Sequence, residues 1–425
     1  QLATLYLEAS MVLNEPRYRD VGCVTLDFLI RDLSGTPTSP DVSETAGFYG
    51  SYDADSGGEE GTFYLWTPQT LREALPDWSD ADRTVLQRLL GITPEGNFEG
   101  GTILTRRAAP GVLAKELQRD PEEVAGLFDR AQERLYKARA QRVWPGLDRK
   151  VVTAWNGMAL TAFAKGFQLT EDPRYLQAAT QTAAYLRRTN RRDDGHLMRA
   201  STQGVVAGNG ILDDYACLAR GLLDLFQVSR DTQHLDWALE LLAIADREFA
   251  SDHGPYYLTP QGAEAPLGRQ IEVMDSVEPS GNSALLMAQQ LAAAWTADPV
   301  RHRTVGRVLG SVRDLLQRAP TSTTHWLEVA LLHLGPMVEL VLVGEPTDRR
   351  ALRDVWARAL TPHAVCVELD AAGAPEALAQ RLPGVHGKEA REGRSTAYVC
   401  QFGACQQPVH EADALHAQVF AGWSG

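Results

Sequence analysis

The sequence predicts a mainly α-helical protein: a closed α/α toroid with β-hairpin insertions on one rim over residues 1–334, followed by a small α/β appendage over 335–425. Three observations lead there. An apolar helix ending in a tight acidic turn, followed by a more amphipathic helix, recurs along the chain. The first helix of each pair is apolar nearly all round, whereas the second keeps its apolar residues to one side. Connections from first to second helix are short and those from second to first are long, which gives the toroid two unlike faces.

The turns read NEPRY at 14–18, EDPRY at 171–175, SRDTQHL at 229–235 and ADPV at 297–300. Asp or Asn as a cap followed by Pro in the first helical turn starts a helix, because Pro lacks an N–H that would be unpaired there anyway. The stretch 151–169 (VVTAWNGMALTAFAKGFQL) is apolar or small nearly all round, and so belongs inside. The following segment, 173–189, confines Tyr175, Leu176, Ala179, Thr182, Ala183 and Leu186 to one side, and so belongs outside. The same contrast holds for 212–228 against 235–249 and for 283–295 against 300–316.

The long connections 34–67, 191–210 and 251–279 are rich in Gly and aromatic residues, and GTFYLW at 61–66 and GPYYLT at 254–259 have the composition of short strands. Loops on one rim of a rigid scaffold are where binding and chemistry concentrate. Beyond Gly335, the apolar run 337–344, a helix near 348–360 and a second run at 364–369 form a β-α-β pattern.

With 44% hydrophobic and 23% charged residues in 425, the chain can bury a large core. A net charge of -14 without a basic run argues against nucleic acid and against anionic membranes. Only five lysines, Lys115, Lys137, Lys150, Lys165 and Lys388, stand against many arginines, a hint of GC-rich bacterial coding. No apolar stretch is long enough to cross a bilayer. Five cysteines in apolar contexts read as those of a reduced, cytoplasmic protein. The chain opens on Gln1 in mid-helix, without an initiator Met or signal peptide, so the toroid is expected to be incomplete at its N-terminus.

Polar clusters fall in the rim loops or at inner-helix N-termini: YDADSGGEEG at 52–61, GNFEGG at 96–101, RVWPGLDRK at 142–150, TAWNG at 153–157, LDDYA at 212–216 and EPSGNS at 278–283. They are expected to converge on one mouth. Carboxylates at a helix N-terminus are held ionised by its dipole, while a carboxyl in a more apolar part of the same mouth is raised and donates a proton. That division suits acid/base work on a sugar. Asp213, Asp214 and Glu278 are therefore the candidate catalytic groups. The candidate substrate-binding residues are Tyr52, Asp53, Asp55, Trp66, Asn97, Glu99, Asp148, Lys150, Trp155, Asn156, Tyr215, Arg269, Ser280 and Asn282, with Tyr52, Trp66, Trp155 and Tyr215 as stacking surfaces.

Each cluster has an architectural reading too. Asp213 and Ser280 suit N-caps, and Asn156 and Asn282 suit buried amides that satisfy loop backbone. Asp53 and Asp55 resemble the start of a calcium loop, but Gly57 and Tyr64 stand where ligands are needed. Cys400 and Cys405 with His410 and His416 lack a zinc-site spacing, so packing is the expectation for these cysteines, with Cys23, Cys217 and Cys366 simply buried. No metal and no cofactor is expected, and no CxxC redox pair is present.

Taken in order, GFYGSYDADSGGEEGTFYLW, GNFEGGTIL, LDRKVVTAWNGM, ILDDYA, EPSGNS and TAYVCQFGACQQP resemble the C-terminal region of the YyaL-like, or spermatogenesis-associated thioredoxin-domain-containing, proteins, over residues 1 to about 408. The resemblance implies a thioredoxin-like domain preceding an (α/α)6 toroid similar to six-hairpin glycosidases and N-acylglucosamine 2-epimerases. It makes this chain a toroid fragment whose partners are a small-molecule, sugar-like ligand and its own thioredoxin-like domain. A non-catalytic platform serving that redox domain is the alternative to a carbohydrate-active enzyme. Two departures stand out: Arg149 replaces an acid in LDRK, and Gly57 replaces an acid in DADSGGEEG.

Overall fold

The computed structural model describes residues 1–34, 47–401 and 403–421. Part of the predicted rim loop 34–67, at 35–46, therefore lies outside the described residues. The chain divides into two compact units, one of Ser51–Asp148 and one of Gln1–Gly50 with Arg149–Gly425. The change of pattern near residue 335 is a change from helix to sheet inside the larger unit, and it does not divide compact units.

The larger unit begins with α1 (Leu2–Leu13) and α2 (Pro16–Phe28). The smaller unit follows. It holds β1 (Ser51–Tyr52), β2 (Asp55–Ser56), β3 (Glu59–Glu60), β4 (Leu65–Trp66), α3 (Pro68–Ala74), α4 (Asp80–Leu90), β5 (Thr102–Ile103), α5 (Pro110–Leu117), α6 (Pro121–Ala140) and β6 (Leu147–Asp148). Its core comprises Trp66, Leu71, Leu86, Leu89, Leu113, Val124 and Leu127, and its strands pair two by two, β1 with β6, β2 with β3 and β4 with β5.

In the larger unit the chain resumes with β7 (Lys150–Val152), α7 (Thr153–Thr170), α8 (Pro173–Thr189), β8 (Met198–Thr202), β9 (Val205–Asn209), α9 (Leu212–Ser229), α10 (Thr232–Glu248), α11 (Gly281–Thr296), α12 (Pro299–Arg318) and α13 (Thr324–Leu334). Inner helices follow one another side by side: α1 on α7, α7 on α9, α9 on α11, α11 on α13. Each outer helix lies against its partner, α2 on α1, α8 on α7, α10 on α9 and α12 on α11. This is the α/α-toroid arrangement, with four complete hairpins and a further inner helix among the described residues.

Burial follows the sequence pattern. All residues of α11 from Gly281 to Trp295 are buried, whereas α12 buries only Val305, Val308, Leu309 and Val312, an i, i+3, i+4, i+7 stripe. Each such side chain contributes on the order of 1.5–3 kcal/mol.

The short turns share one construction. An inner helix ends on a residue in the left-handed region, Asn14, Glu171, Arg230 or Ala297, and the next residue caps the outer helix. Asp172, Asp231 and Asp298 accept from backbone N–H groups of the first turn. At the first turn Glu15 occupies the cap position without a side-chain bond, and Asn14 serves as the left-handed terminator.

Helices α7 and α9 cross backbone to backbone. A Cβ on Gly157 would come within 2.6 Å of the Cys217 carbonyl oxygen, and one on Gly221 within 2.3 Å of the Gly157 oxygen. Only glycine permits that approach.

The rim carries the antiparallel sheet β7-β8-β9. The expected strand at 254–259 is absent: its backbone bonds go to scattered partners, Tyr257 N to Phe249 O and Leu258 N to Gln270 O. The expected strand at 61–66 shrinks to Leu65–Trp66.

The last part of the unit forms a sheet in the order β11-β10-β12-β13, from β10 (Val338–Val343), β11 (Ala364–Leu369), β12 (Thr396–Gln401) and β13 (Ala404–Cys405). β10 and β11 are parallel and are joined through α14 (Arg350–Ala357), the β-α-β unit read from the sequence. Val341, Val343, Val365 and Val367 join the helical core. Val338, Leu340, Leu342 and Cys366 pack with α14 and the terminal helix 412–419 through Leu352, Trp356, Leu415 and Val419. Burial on both faces explains why β10 is apolar apart from Glu339. Cys400 and Cys405, expected to pack as free thiols, form a disulfide, because the antiparallel register sets them opposite each other.

Candidate functional site

Three side-chain amides expected to bind substrate bind the protein's own backbone. Asn156, in the first turn of α7, accepts from Phe48 N at 2.7 Å and donates to Phe48 O at 3.0 Å and Val152 O at 2.9 Å. Asn282, at the start of α11, accepts from Tyr256 N at 2.6 Å and donates to Tyr256 O at 2.9 Å and Glu272 O at 2.8 Å. In the smaller unit Asn97 accepts from Ile103 N and donates to Ile103 O. An amide carries one acceptor and one donor group in the spacing of a peptide, so each Asn pairs with a backbone residue as a neighbouring strand would, Asn156 and Asn282 with loop residues and Asn97 with the edge of β5. Loops without strand partners of their own satisfy their backbone in this way.

Asp214 is fully buried on α9. Its Oδ1 accepts from Ala154 N at 3.0 Å and Arg199 Nη1 at 2.8 Å, and its Oδ2 from Ile211 N at 2.9 Å. Burial pushes its carboxyl up to about 7, against the pull of Arg199 and the two amides. The N-cap of α9 is Ile211, so Asp213, expected as a cap, stands inside the first turn and makes no cap bond. Its Oδ2 is buried without a hydrogen-bond partner and faces Gly281 of α11. Burial raises its pKa, outweighing its own backbone amide and Arg199.

The remaining expected ligand residues divide clearly. Tyr215 is buried, with its hydroxyl accepting from Leu197 N at 2.9 Å and its ring against Phe249, so it offers no stacking face. Arg269 spends its guanidinium on the carbonyls of Thr259 and Glu248, over the Tyr257 ring. Ser280 caps α11 through Ser283 N. Lys150 pairs in register with Thr202 on the rim sheet. Trp155 is 42% exposed and lines a hollow of about 460 Å³ together with Tyr49, Met158 and Glu278.

In the smaller unit, Tyr52 packs beside Trp144, and Trp66 is buried under the Arg142 guanidinium, which closes it to a sugar ring. Asp53 Oδ1 accepts from Asp55 N, closing a turn. Glu99 occupies a left-handed turn position, and Asp148 pairs with Ser51. These residues belong to a different compact unit from Asp213, Trp155 and Glu278.

The larger unit holds a second hollow, of about 560 Å³, to which all five inner helices contribute. Its polar lining includes Glu8 of α1, Thr161 of α7, Arg220 of α9, Asp275 and Glu278 of the loop before α11, and His325 and Glu328 of α13. Asp213, Cys217, Arg220 and Asp224 lie at i, i+4, i+7 and i+11, one stripe of α9. Arg220 Nε donates to Asp224 Oδ2 at 2.8 Å. Asp275 holds the lining in place: it accepts from Ser280 N, from Ser283 Oγ and from His325 N.

His325 Nδ1 lies 3.0 Å from Ser283 Oγ, and its Nε2 lies 3.9 Å from Glu328 Oε2. Burial and then Arg220 lower the imidazole to about 4, against Asp275, so it is neutral at pH 7. The surrounding walls push the Glu328 carboxyl up despite Arg220. Sequence reading missed Arg220, His325 and Glu328, although a signal was available: charged residues inside otherwise apolar inner helices. Among the described residues no group of three or more His, Cys, Asp or Glu could hold a metal ion, and no helix is long and apolar enough to cross a membrane.

Fold and site together define an α/α toroid whose central hollow is lined by carboxyls, an arginine and a neutral histidine. Over 96% of its length the chain is similar to Spermatogenesis-associated protein 20, as its motifs indicated: 28% identical to the human protein and 27% to the rat protein, covering 55% of each. An uncharacterized protein of Caenorhabditis elegans is 29% identical over 56% of this chain and 36% of its own. The chain thus spans about half the length of the curated relatives it matches. No known family profile matches. Among solved structures, a cellobiose 2-epimerase from Spirochaeta thermophila is 15% identical, with 71% of this chain and 72% of that one covered and a TM-score of 0.36. A family 105 glycoside hydrolase from C. acetobutylicum is 11% identical, with 74% and 76% covered and a TM-score of 0.35. Similarity this slight fixes nothing about chemistry.

Proposed function

We propose that the larger unit is carbohydrate-active, taking a sugar into its central hollow and acting on it by carboxylate acid/base chemistry of a glycoside-hydrolase-like or epimerase-like kind. The observation that carries this reading is a pair of carboxyls whose pKa is raised, Glu328 on the lining of the hollow with its side chain half exposed, and Asp213 one turn before the lining residue Cys217, beside a hollow also bordered by Glu278. A raised carboxyl holds its proton more tightly than a free one, the direction of shift a general acid needs. Glu278 serves as the partner base, neutral His325 relays protons beside Glu328, and Arg220 binds an electron-rich oxygen. Trp155 stacks on the apolar face of the sugar from the adjoining hollow. Asp214 is a positioning residue that ties α9 to α7.

Thermal shift and turnover measurements against a panel of mono- and disaccharides test this. Glu328→Gln and Asp213→Asn should retain binding and lose turnover by about 10²-fold or more. No stabilisation by any sugar, or turnover unaffected in both variants, would sink the proposal. The second reading, a non-catalytic platform for a thioredoxin-like domain of the same polypeptide, draws support from the Cys400–Cys405 disulfide. It gains if sugars fail and such a domain, added in trans, binds.

A further inference from the structure

Lys388 is a buried lysine, 9% exposed, for which the described residues supply no carboxylate within ion-pair distance. Its Nζ lies 2.9 Å from Cys400 Sγ and 2.8 Å from Cys405 Sγ, and 4.7 Å from the centre of the Tyr398 ring. Taking an ammonium out of water costs several kcal/mol unless a charge or strong acceptor repays it. Disulfide sulfurs are neutral and weak acceptors, so the arrangement is poorly matched to the oxidised pair. A thiolate at either sulfur would supply the missing counter-charge at hydrogen-bond distance. Burial lowers the Lys388 pKa; Glu339, in register with Cys400, raises it, and Arg391 lowers it.

Access is one-sided. Cys405 is exposed and Cys400 is 1% exposed. Lys388 itself borders a hollow of about 450 Å³ with Glu376, Gln380, His386 and Glu389, separate from the central one.

We propose that Cys400 and Cys405 form a redox-active pair that exchanges with a dithiol, with Lys388 as the cation that stabilises the released thiolate. A donor thiolate attacks Cys405 Sγ, the bond between the two protein sulfurs breaks, and its electron pair leaves with Cys400 as a thiolate beside Lys388. The donor's second thiolate then attacks the donor sulfur of the mixed disulfide. Cys405 then leaves as well, its Sγ 2.8 Å from Lys388 Nζ, and the donor ends as a disulfide; Lys388 pairs with whichever of the two sulfurs is ionised. Two electrons pass from donor to pair; of the two donor protons, one stays on the pair and one goes to solvent, which leaves one thiolate beside Lys388. Exchange of this kind is independent of the acid/base reading of the central hollow.

The test uses the full chain, folded, in buffers of reduced and oxidised dithiothreitol, with maleimide trapping and peptide mass readout. Cys23, Cys217 and Cys366, which are free, provide internal references. The pair should interconvert reversibly while circular dichroism stays native. In Cys400→Ser, Cys405 should alkylate with a pH midpoint below the ordinary value of about 8.5. Adding Lys388→Met should slow that alkylation about tenfold at pH 7, and Lys388→Arg should restore most of the rate. A bridge that yields to dithiothreitol only on unfolding is a structural disulfide and overturns the proposal. So does a Cys405 midpoint at or above 8.5 in Cys400→Ser, a result that stands even if Lys388→Met fails to fold.

Discussion

Replacing Asn282 by alanine isolates the loop clamp from any role in binding. The side chain is 1% exposed and makes three hydrogen bonds, and its loss leaves Tyr256 N–H, Tyr256 C=O and Glu272 C=O without those partners. A buried group stripped of its partner costs roughly 1–3 kcal/mol, and the orphaned N–H has no second lone pair with which to compensate, as a carbonyl does. Because the three bonds share one side chain their losses do not add fully, so the expected cost is about 3–5 kcal/mol. A unit of this size loses less than the 2–4 °C per kcal/mol typical of 150–250 residues, so Tm should fall by roughly 5–8 °C. Hydrogen exchange gives the local readout: the Tyr256 amide should lose protection while amides within α9 and α10 keep theirs. A Tm change under 1 °C, or a Tyr256 amide as protected as before, would refute the clamp.

Three further outcomes follow from the same structure. Asp214→Asn turns an NH2 toward Ala154 N–H or Ile211 N–H and should cost roughly 2–4 kcal/mol, while Asp213→Asn, with no bond from Oδ2 to lose, should change denaturant stability by under about 1 kcal/mol. His325 has a folded pKa of about 4 against 6.5, so its contribution is complete above pH 6.5 and is lost as pH falls from 6.5 toward 4. His325→Gln should therefore flatten the fall of Tm over that window, by up to roughly 3 kcal/mol at its acid end; an unchanged acid slope would count against the half-buried neutral imidazole. Trp155→Ala, on an exposed side chain, should leave Tm within about 2 °C and weaken sugar binding, as measured by calorimetry; unchanged affinity would remove Trp155 from the ligand path.

The helical hairpins were legible because burial writes itself into composition: a helix enclosed on every side, such as α11, has no polar face to show, and α12 shows one. Caps such as Asp172 and Asp298 were legible because their chemistry is local. The site was legible only in part. Asn156, Asn282 and Asp214 drew notice as polar residues at helix starts, but whether such a group faces ligand or backbone depends on partners as far as 108 residues away in the chain. The disulfide was hidden for a related reason: a CxxxxC spacing has no meaning until the register of β12 and β13 sets the two cysteines face to face. Conversely Glu328 is a single acid in the largely apolar THWLEVALLHL, a signal the sequence reading passed over, and its place on the hollow emerges only from the packing of the inner helices.

The glycine contact between α7 and α9 has a mechanical consequence for the hollow they share. With the two backbones in close approach at Gly157 and Gly221, there is little slack for either helix to shift past the other at the crossing, which holds Met158 and Thr161 on one and Cys217 and Arg220 on the other as one stiff wall. Any widening needed to admit a guest therefore falls to the opposite wall, where α1 and α13 bring Glu8, His325 and Glu328.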